Sequence, residues 1–414
     1  MRTAPTWCLV GYWGGVGGRG YVLKAGGEAC SLVCETVDAV DIGNVVGTGE
    51  KVATRRCFLF GDSGFCGICR HVMKGKGCGS ASSRDEEGAR SVVRVLSWYF
   101  GTVYGRLEGP GTVPFYCDSL RVGAFAVPSE ELAQGKDVAL FRLFVALAMF
   151  QAFRDVVIMR QQRGMRREDV ELLISANSVS AHVNNQACDY LGSSEVFDLR
   201  CSVRKTAGHV DCAARPGASC QVKDATALFR RMGDMGKLPT SAWLHSWKDG
   251  QLARVRSDVI ARSTDPQKRA DLLVEQFARI HRVGRKLATM FVSALSTPAL
   301  APGLTPWFPE VDGNALVVID TNVARAVDAL RDPGAAKTYD ARASWVCNQA
   351  GTLDLRQFGS HLPPYSPRLV QQALYSFCSK SNRTTNDDEC ALSERHCSAC
   401  VTSICPFHAR STSS

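Results

Sequence analysis

Residues 271–295 read DLLVEQFARIHRVGRKLATMFVSAL, and residues 315–327 read ALVVIDTNVARAV. In the first stretch Leu273, Phe277 and Ile280 fall at i, i+4 and i+7. After a break, Leu287, Met290, Phe291, Ala294 and Leu295 fall at i, i+3, i+4, i+7 and i+8. Each set lies along one side of a 3.6-residue helix, so the spacing predicts two amphipathic helices. Between them His281-Arg282-Val283-Gly284-Arg285-Lys286 places a glycine and three cations at the start of the second helix. The second stretch is a short apolar run, with Val317–Ile319 reading as a strand, that ends at Asp320. Asp320 is placed to cap a helix carrying Val323, Val327 and Leu330. A lysine and an aspartate, each at a helix start, become a functional pair if the fold brings them together.

The 414 residues allow one to three domains and a large core. A net charge of +9 suits an acidic partner such as nucleic acid, although a solvated basic surface gives the same balance. The longest apolar run, 138–150, is interrupted by Arg142 and falls short of the roughly 20 residues that span a bilayer. It reads as a buried helix, and no membrane association is expected. The opening MRTAPTWCLVGYWGG lacks the apolar centre of a signal peptide. The expectation is an intracellular protein, of the cytoplasm or nucleoid in a bacterium and of the nucleus in a eukaryote. In that setting the 18 cysteines are metal ligands or free thiols more often than disulfides.

Residues 1–90 differ from the rest. They are glycine-dense, end in the linker-like KGKGCGSASSRDEEG, and are expected to form a poorly structured extension. Cys66-x2-Cys69, with His71 and Cys78 nearby, has a metal-ligand spacing without a second pair. From Ser91 the chain is globular in texture. Asp137–Arg163 reads as one or two helices and Arg166–Val179 as another; Leu228–Met235 and Ala242–Trp247 read as short helices. Within the irregular segment 180–240, Cys188, Cys201, His209, Cys212 and Cys220 are too widely and unevenly spaced to define a metal site. The plainer reading is scattered structural thiols. Overall the fold class is all-α, with no internal repeat.

The end of the chain reads ECALSERHCSACVTSICPFH. Cys390, Cys397, Cys400 and Cys405 are spaced C-x6-C-x2-C-x4-C. Four thiolates in so short a loop suit a tetrahedral or cubane metal centre. The six-residue gap exceeds the usual spacing of structural zinc pairs and favours a [4Fe-4S] cluster, with zinc as the less favoured occupant.

Taken together, these three elements resemble the helix-hairpin-helix DNA glycosylases of the endonuclease III branch. The hairpin Ile280-His281-Arg282-Val283-Gly284-Arg285-Lys286-Leu287-Ala288 matches the family's L-P-G-V-G-R-K-T-A at Val-Gly-Arg-Lys and at Ala288. Ile319-Asp320-Thr321-Asn322-Val323-Ala324-Arg325 matches its V-D-T-H-V-x-R segment, and the first three cysteines match its cluster loop. The likeness covers roughly residues 130–408 and is thin between the motifs. It implies a two-lobed fold: an iron–sulfur lobe from 91–150 and 325–408, and a helical barrel lobe from 151–324. It makes Lys286 and Asp320 catalytic, and Arg282, Val283, Gly284, Arg285, Asn322 and Arg395 contacts to DNA. The implied partner is double-stranded DNA bearing a damaged or modified base, bound by a monomer.

Three departures mark a divergent member. Arg282 replaces the first hairpin glycine and His281 the preceding proline. The 34 positions from Lys286 to Asp320 exceed the family's interval because of the Pro-rich residues 297–315. The last cluster gap is one residue short.

The implied activity is base-excision repair: a glycosylase with AP-lyase activity. The helix N-terminus, Arg282 and Arg285 disfavour the ammonium form of Lys286, and the free amine attacks the sugar C1′ to form a Schiff base. Asp320 stabilises the positive charge that develops on the sugar, or orients and deprotonates the nucleophile. Two alternatives stay open: a monofunctional glycosylase using Asp320 and water, and a non-catalytic DNA-binding protein of the same fold. His281, Asn322 and Trp307 read as structural residues first and as candidate pocket or backbone contacts second, while Tyr365 and Tyr375 are expected in the core.

Overall fold

A computed structural model of the chain describes residues 83–379, apart from 152, 186–187, 207–208, 213, 219 and 230–232, together with four strands before residue 61. Residues 1–82 and 83–414 are separate units. In the first, β1 (Cys8–Gly15), β2 (Gly18–Ala25), β3 (Glu28–Cys34) and β4 (Cys57–Phe60) pair antiparallel in sequence order. This sheet lies in the stretch expected to be a poorly structured extension, outside the all-α body. Among the glycines stand Val10, Tyr12, Trp13, Tyr21, Val22 and Val33, residue types that strands favour. Cys66, Cys69, His71 and Cys78 lie outside the described residues.

The second unit is mostly helical. Its first helix, α1 (Ser83–Thr102), starts inside the stretch expected as a linker. α2 (Asp137–Ala148) and α3 (Asp155–Arg163) follow as two helices. The single helix expected over 166–179 is two, α4 (Arg167–Ile174) and α5 (Ala176–Asn185). Ser175 breaks it: its backbone is extended (ψ 122°), and its hydroxyl accepts from Ser178 N at 3.4 Å, starting the next helix. Next come α6 (Ser194–Arg200) and a hairpin of β5 (Val203–Thr206) with β6 (His209–Cys212), a departure from all-α. α7 (Gln221–Leu228) ends where a helix was expected to begin. Residues 238–242 are α-helical and Trp243–Trp247 continue them as a π turn.

α8 (Gln251–Arg262) leads to the expected pair, α9 (Pro266–Phe277) and α10 (Arg285–Ser296). α11 (Thr321–Leu330), α12 (Tyr339–Gly351) and α13 (Pro367–Cys378) complete the described chain. Val317–Ile319 is not a strand. Side chains satisfy its backbone instead: Tyr339 Oη donates to Val317 O at 2.7 Å, and Gln371 Oε1 accepts from Val318 N at 3.4 Å. No described helix is long and apolar enough to cross a membrane.

Two buried clusters organise this unit. The first runs from Tyr116 to Leu316 and centres on Phe144, Trp247, Phe277, Phe291 and Trp307. Phe277 and Phe291 meet edge to face at 5.0 Å, and Trp307 stacks on Phe277 at 6.2 Å. The second combines Val92–Val103 with Val317–Cys378. Along the chain the two clusters divide near residues 104–115 and at 316. α2 is buried on nearly all sides within the first cluster, a packing partner that composition did not reveal.

Candidate functional site

The turn between α9 and α10 is closed by Val283 N donating to Ile280 O at 2.9 Å. Ile280 and Val283 are both buried and pin the turn to the core. Arg282, between them, has φ +62°, a left-handed conformation that glycine adopts at no steric cost. His281 N donates to Ser241 Oγ at 3.2 Å, tying the turn to a neighbouring helix. Gly284 is the N-cap of α10 and, lacking a side chain, supplies no capping acceptor. The first amides of that helix carry the positive end of its dipole, an arrangement suited to an anion.

The next helix start is built differently. Asp320 caps α11, its Oδ1 accepting from Val323 N at 2.7 Å. Burial raises the Asp320 carboxyl above its ordinary range, against the opposing pull of the Val323 amide and the Lys286 charge.

Lys286 and Asp320 line one pocket of about 180 Å³. Residues of both buried clusters contribute to it: Phe115, Phe150 and Met290 from the first, Tyr375 from the second. Lys286 Nζ donates to the Phe150 carbonyl at 2.9 Å, which holds a long, flexible side chain in one orientation at the pocket wall.

Sequence reading missed a second carboxylate at this site. Asp155, the first residue of α3, lines the pocket with Lys286 and Asp320. Its carboxyl is pushed up to about 6, first by burial and then by the Asp320 charge, with Lys286 acting in the opposite sense. Tyr375, expected in the core, donates its hydroxyl to Asp155 Oδ2. No local motif marks Asp155, which lies more than 130 positions before Lys286.

The opposite wall is a polar network. Glu108 accepts from Tyr99 Oη at 2.9 Å and from Gln372 Nε2 at 3.0 Å. Gln372 Oε1 in turn accepts from Arg368 at 2.9 Å, and Arg368 Nε donates to Ser293 Oγ at 3.1 Å. Burial raises the Glu108 carboxyl and lowers the Arg368 guanidinium, and each charge offsets part of the other's shift. One amide side chain, Gln372, thus links opposite charges along the pocket wall.

Other residues expected at the site are placed less directly. Val283 is buried, so only its backbone can meet a ligand. Arg285 is exposed but engaged, pairing with Asp340 at 2.7 Å and lying over the Tyr339 ring at 5.4 Å. Asn322 is half-buried, and its Oδ1 accepts from Arg325 at 3.0 Å. Trp307 is a core residue rather than a pocket contact, while Tyr365 is exposed rather than buried. Residues 297–315 nevertheless reach the pocket through Leu300 and Ala301, and Tyr104 Oη fixes them by donating to Ala299 O at 2.8 Å. Arg395, Cys390, Cys397, Cys400 and Cys405 lie outside the described residues. Among the described residues no three His, Cys, Asp or Glu side chains already stand as a coordination sphere. No family model, curated protein or solved structure matches the chain.

Proposed function

We propose that the protein is a base-excision DNA glycosylase with AP-lyase activity, of the helix-hairpin-helix type. The observation that carries this reading is the meeting of Lys286 and Asp320, from two helix starts 34 positions apart, in one pocket, with Lys286 in the first turn of a helix whose N-cap Gly284 supplies no side-chain cap. The amides at the start of α10 and Arg282 would hold a DNA phosphate and contribute affinity without reading sequence. A base must leave the stack before its glycosidic bond is accessible, and the pocket would receive it.

The amine of Lys286 then attacks C1′. The C1′–N bond breaks, its electron pair leaves with the base, and the base takes up a proton. The nitrogen sheds a proton and its lone pair then opens the sugar ring: the C1′–O4′ bond breaks, O4′ takes up a proton, and the protonated lysine–sugar Schiff base remains. Abstraction of a C2′ proton then expels the 3′ phosphate. The Asp320 carboxylate stabilises the cationic sugar, and the Phe150 carbonyl keeps Nζ aimed at the reacting carbon. Asp155, held by Tyr375, lines the same pocket with its carboxyl shifted toward neutral pH, and it is suited to pass a proton to the departing base. The four terminal thiolates would hold a [4Fe-4S] cluster whose contribution is to fix the loop that carries Arg395 against DNA; no step of the reaction passes through it.

Borohydride reduction in the presence of duplexes carrying oxidised pyrimidines, uracil, mispaired adenine or hypermodified cytosine tests the proposal. A covalent protein–DNA adduct, lost in Lys286→Ala, is expected with one of them. Base release without an adduct, surviving in Lys286→Ala, assigns the monofunctional reaction. Binding with neither overturns the enzymatic reading.

A further inference from the structure

Four cysteines that are scattered in the sequence meet in space. Cys188 precedes a short turn, Cys201 follows α6, Cys212 ends β6, and Cys220 caps the start of α7. All four line one small cavity of about 20 Å³, room for roughly one water-sized sphere. The remaining lining is largely apolar, including Leu191, Phe197 and Val222. His182 also lines it; the residue is buried, 8 % exposed, and its Nε2 has no hydrogen-bond partner. A buried ring nitrogen left unpaired in an apolar cavity costs free energy unless something in the cavity meets it. Two cations stand beside the thiols: Arg215 lines the cavity, and the buried Lys237 acts electrostatically on Cys201.

We propose that this cavity is a structural zinc site, with Cys188, Cys201, Cys212 and Cys220 as its four thiolate ligands. Soft thiolates select zinc, and a closed tetrahedral set is the form of a structural rather than a catalytic site. As they stand the four thiols do not form a coordination sphere, so zinc binding requires their side chains to turn toward the cavity that they line. Each thiol loses its proton on binding, so the centre carries two negative charges, which Arg215 and Lys237 offset. With its proton on Nε2, His182 donates to one of the sulfurs and is no longer unpaired. The local fold gives the ion a purpose. Residues 188–220 hold short elements and one two-stranded hairpin, which is marginal by itself in water. A single ion would tie four element ends together.

The full-length chain as purified tests this by cysteine alkylation read peptide by peptide, together with zinc content. The expected result is that Cys188, Cys201, Cys212 and Cys220 resist iodoacetamide as a group. They should become reactive together after a chelator removes zinc and be protected again by Zn²⁺ alone, while Cys117 is unaffected throughout. In Cys201→Ser/Cys220→Ser the zinc content should fall by about one equivalent per chain relative to Cys117→Ser. Reactivity of the four that is indifferent to chelation and to added Zn²⁺ overturns the proposal. Disulfides among them in zinc-free protein overturn it as well. The alkylation arm needs no variant and so stands even if the double substitution prevents folding.

Discussion

The helix starts at Gly284 and Asp320 reach the same pocket with opposite designs. α10 opens on a glycine, leaves its first amides without a side-chain acceptor and carries Lys286 in its first turn. α11 opens on a carboxylate that satisfies its own helix through Val323 N. An uncapped start is a place for an external anion, whereas a self-capped start fixes its carboxylate in one position. The pair therefore divides the work proposed here: one end holds the phosphate and supplies the nucleophile, and the other holds a charge in a constant place. In the proposed reaction Asp320 is a cap and a functional group at once. The hydrogen bond that ends the helix is the one that orients the carboxyl.

The comparison breaks most severely if the spacing between the two starts is lost. Trp307 anchors the connecting residues 297–315 between Phe277 and Phe291. Trp307→Ala should cost about 3–5 kcal/mol of stability, read by denaturant unfolding. A loss below about 1 kcal/mol would show that the connection is not pinned by this residue.

Separating the cap of α11 from its charge is the next test. Asn caps as well as Asp, so Asp320→Asn should keep the stability while lowering the rate of base release about 10²- to 10³-fold. Asp320→Ala should lose the rate and also about 1 kcal/mol of stability. Equal rates for Asp320→Asn and the unsubstituted protein would reduce Asp320 to a cap.

The hairpin side is sharpened by Arg282→Gly. Removing a side chain from φ +62° relieves strain, and the greater freedom of glycine in the unfolded chain offsets part of the gain. A net change within about 1 kcal/mol, toward greater stability, is expected in thermal unfolding. Affinity for DNA should fall, and the dependence of binding on salt should become shallower by about one unit. An unchanged salt dependence would place Arg282 away from the phosphates.

The smallest effect is a pH slope. Burial and Asp320 raise the Asp155 carboxyl from its usual value near 3.8 to about 6. Between those values the folded chain holds a proton that the unfolded chain has released. The stabilisation is thus fully present below the lower value and is lost as pH rises through the upper one. Asp155→Asn should flatten this part of the Tm–pH curve and leave the region above it parallel. An unaltered slope would mean that Asp320, which faces Asp155 together with Lys286 and Tyr375, carries the titration.

The helical pair, the Asp320 cap and the hairpin were legible because each is written in neighbours. Periodic apolar positions put Leu273 and Phe277 on one face, and a carboxylate before Thr321 reaches an amide three residues on. Ser175 broke a helix whose apolar side reads as continuous, since a hydroxyl competing for backbone amides is a local alternative that periodicity does not weigh. The strand expected at Val317–Ile319 failed for the opposite reason. An apolar run specifies burial, not pairing, and here Tyr339 and Gln371 supply the partners.

By itself the sequence determined where α10 and α11 begin and which residues head them. Tertiary structure alone decided the rest. It placed α2 in the first core, put Asp155 and Tyr375 beside Lys286, linked Glu108 to Arg368 through Gln372, and gathered Cys188, Cys201, Cys212 and Cys220 around one cavity. Hydrogen-bonded helix geometry is set within about four residues and so leaves a periodic trace in the chain. Contacts between elements are set by packing across tens to hundreds of positions and leave no trace of fixed period.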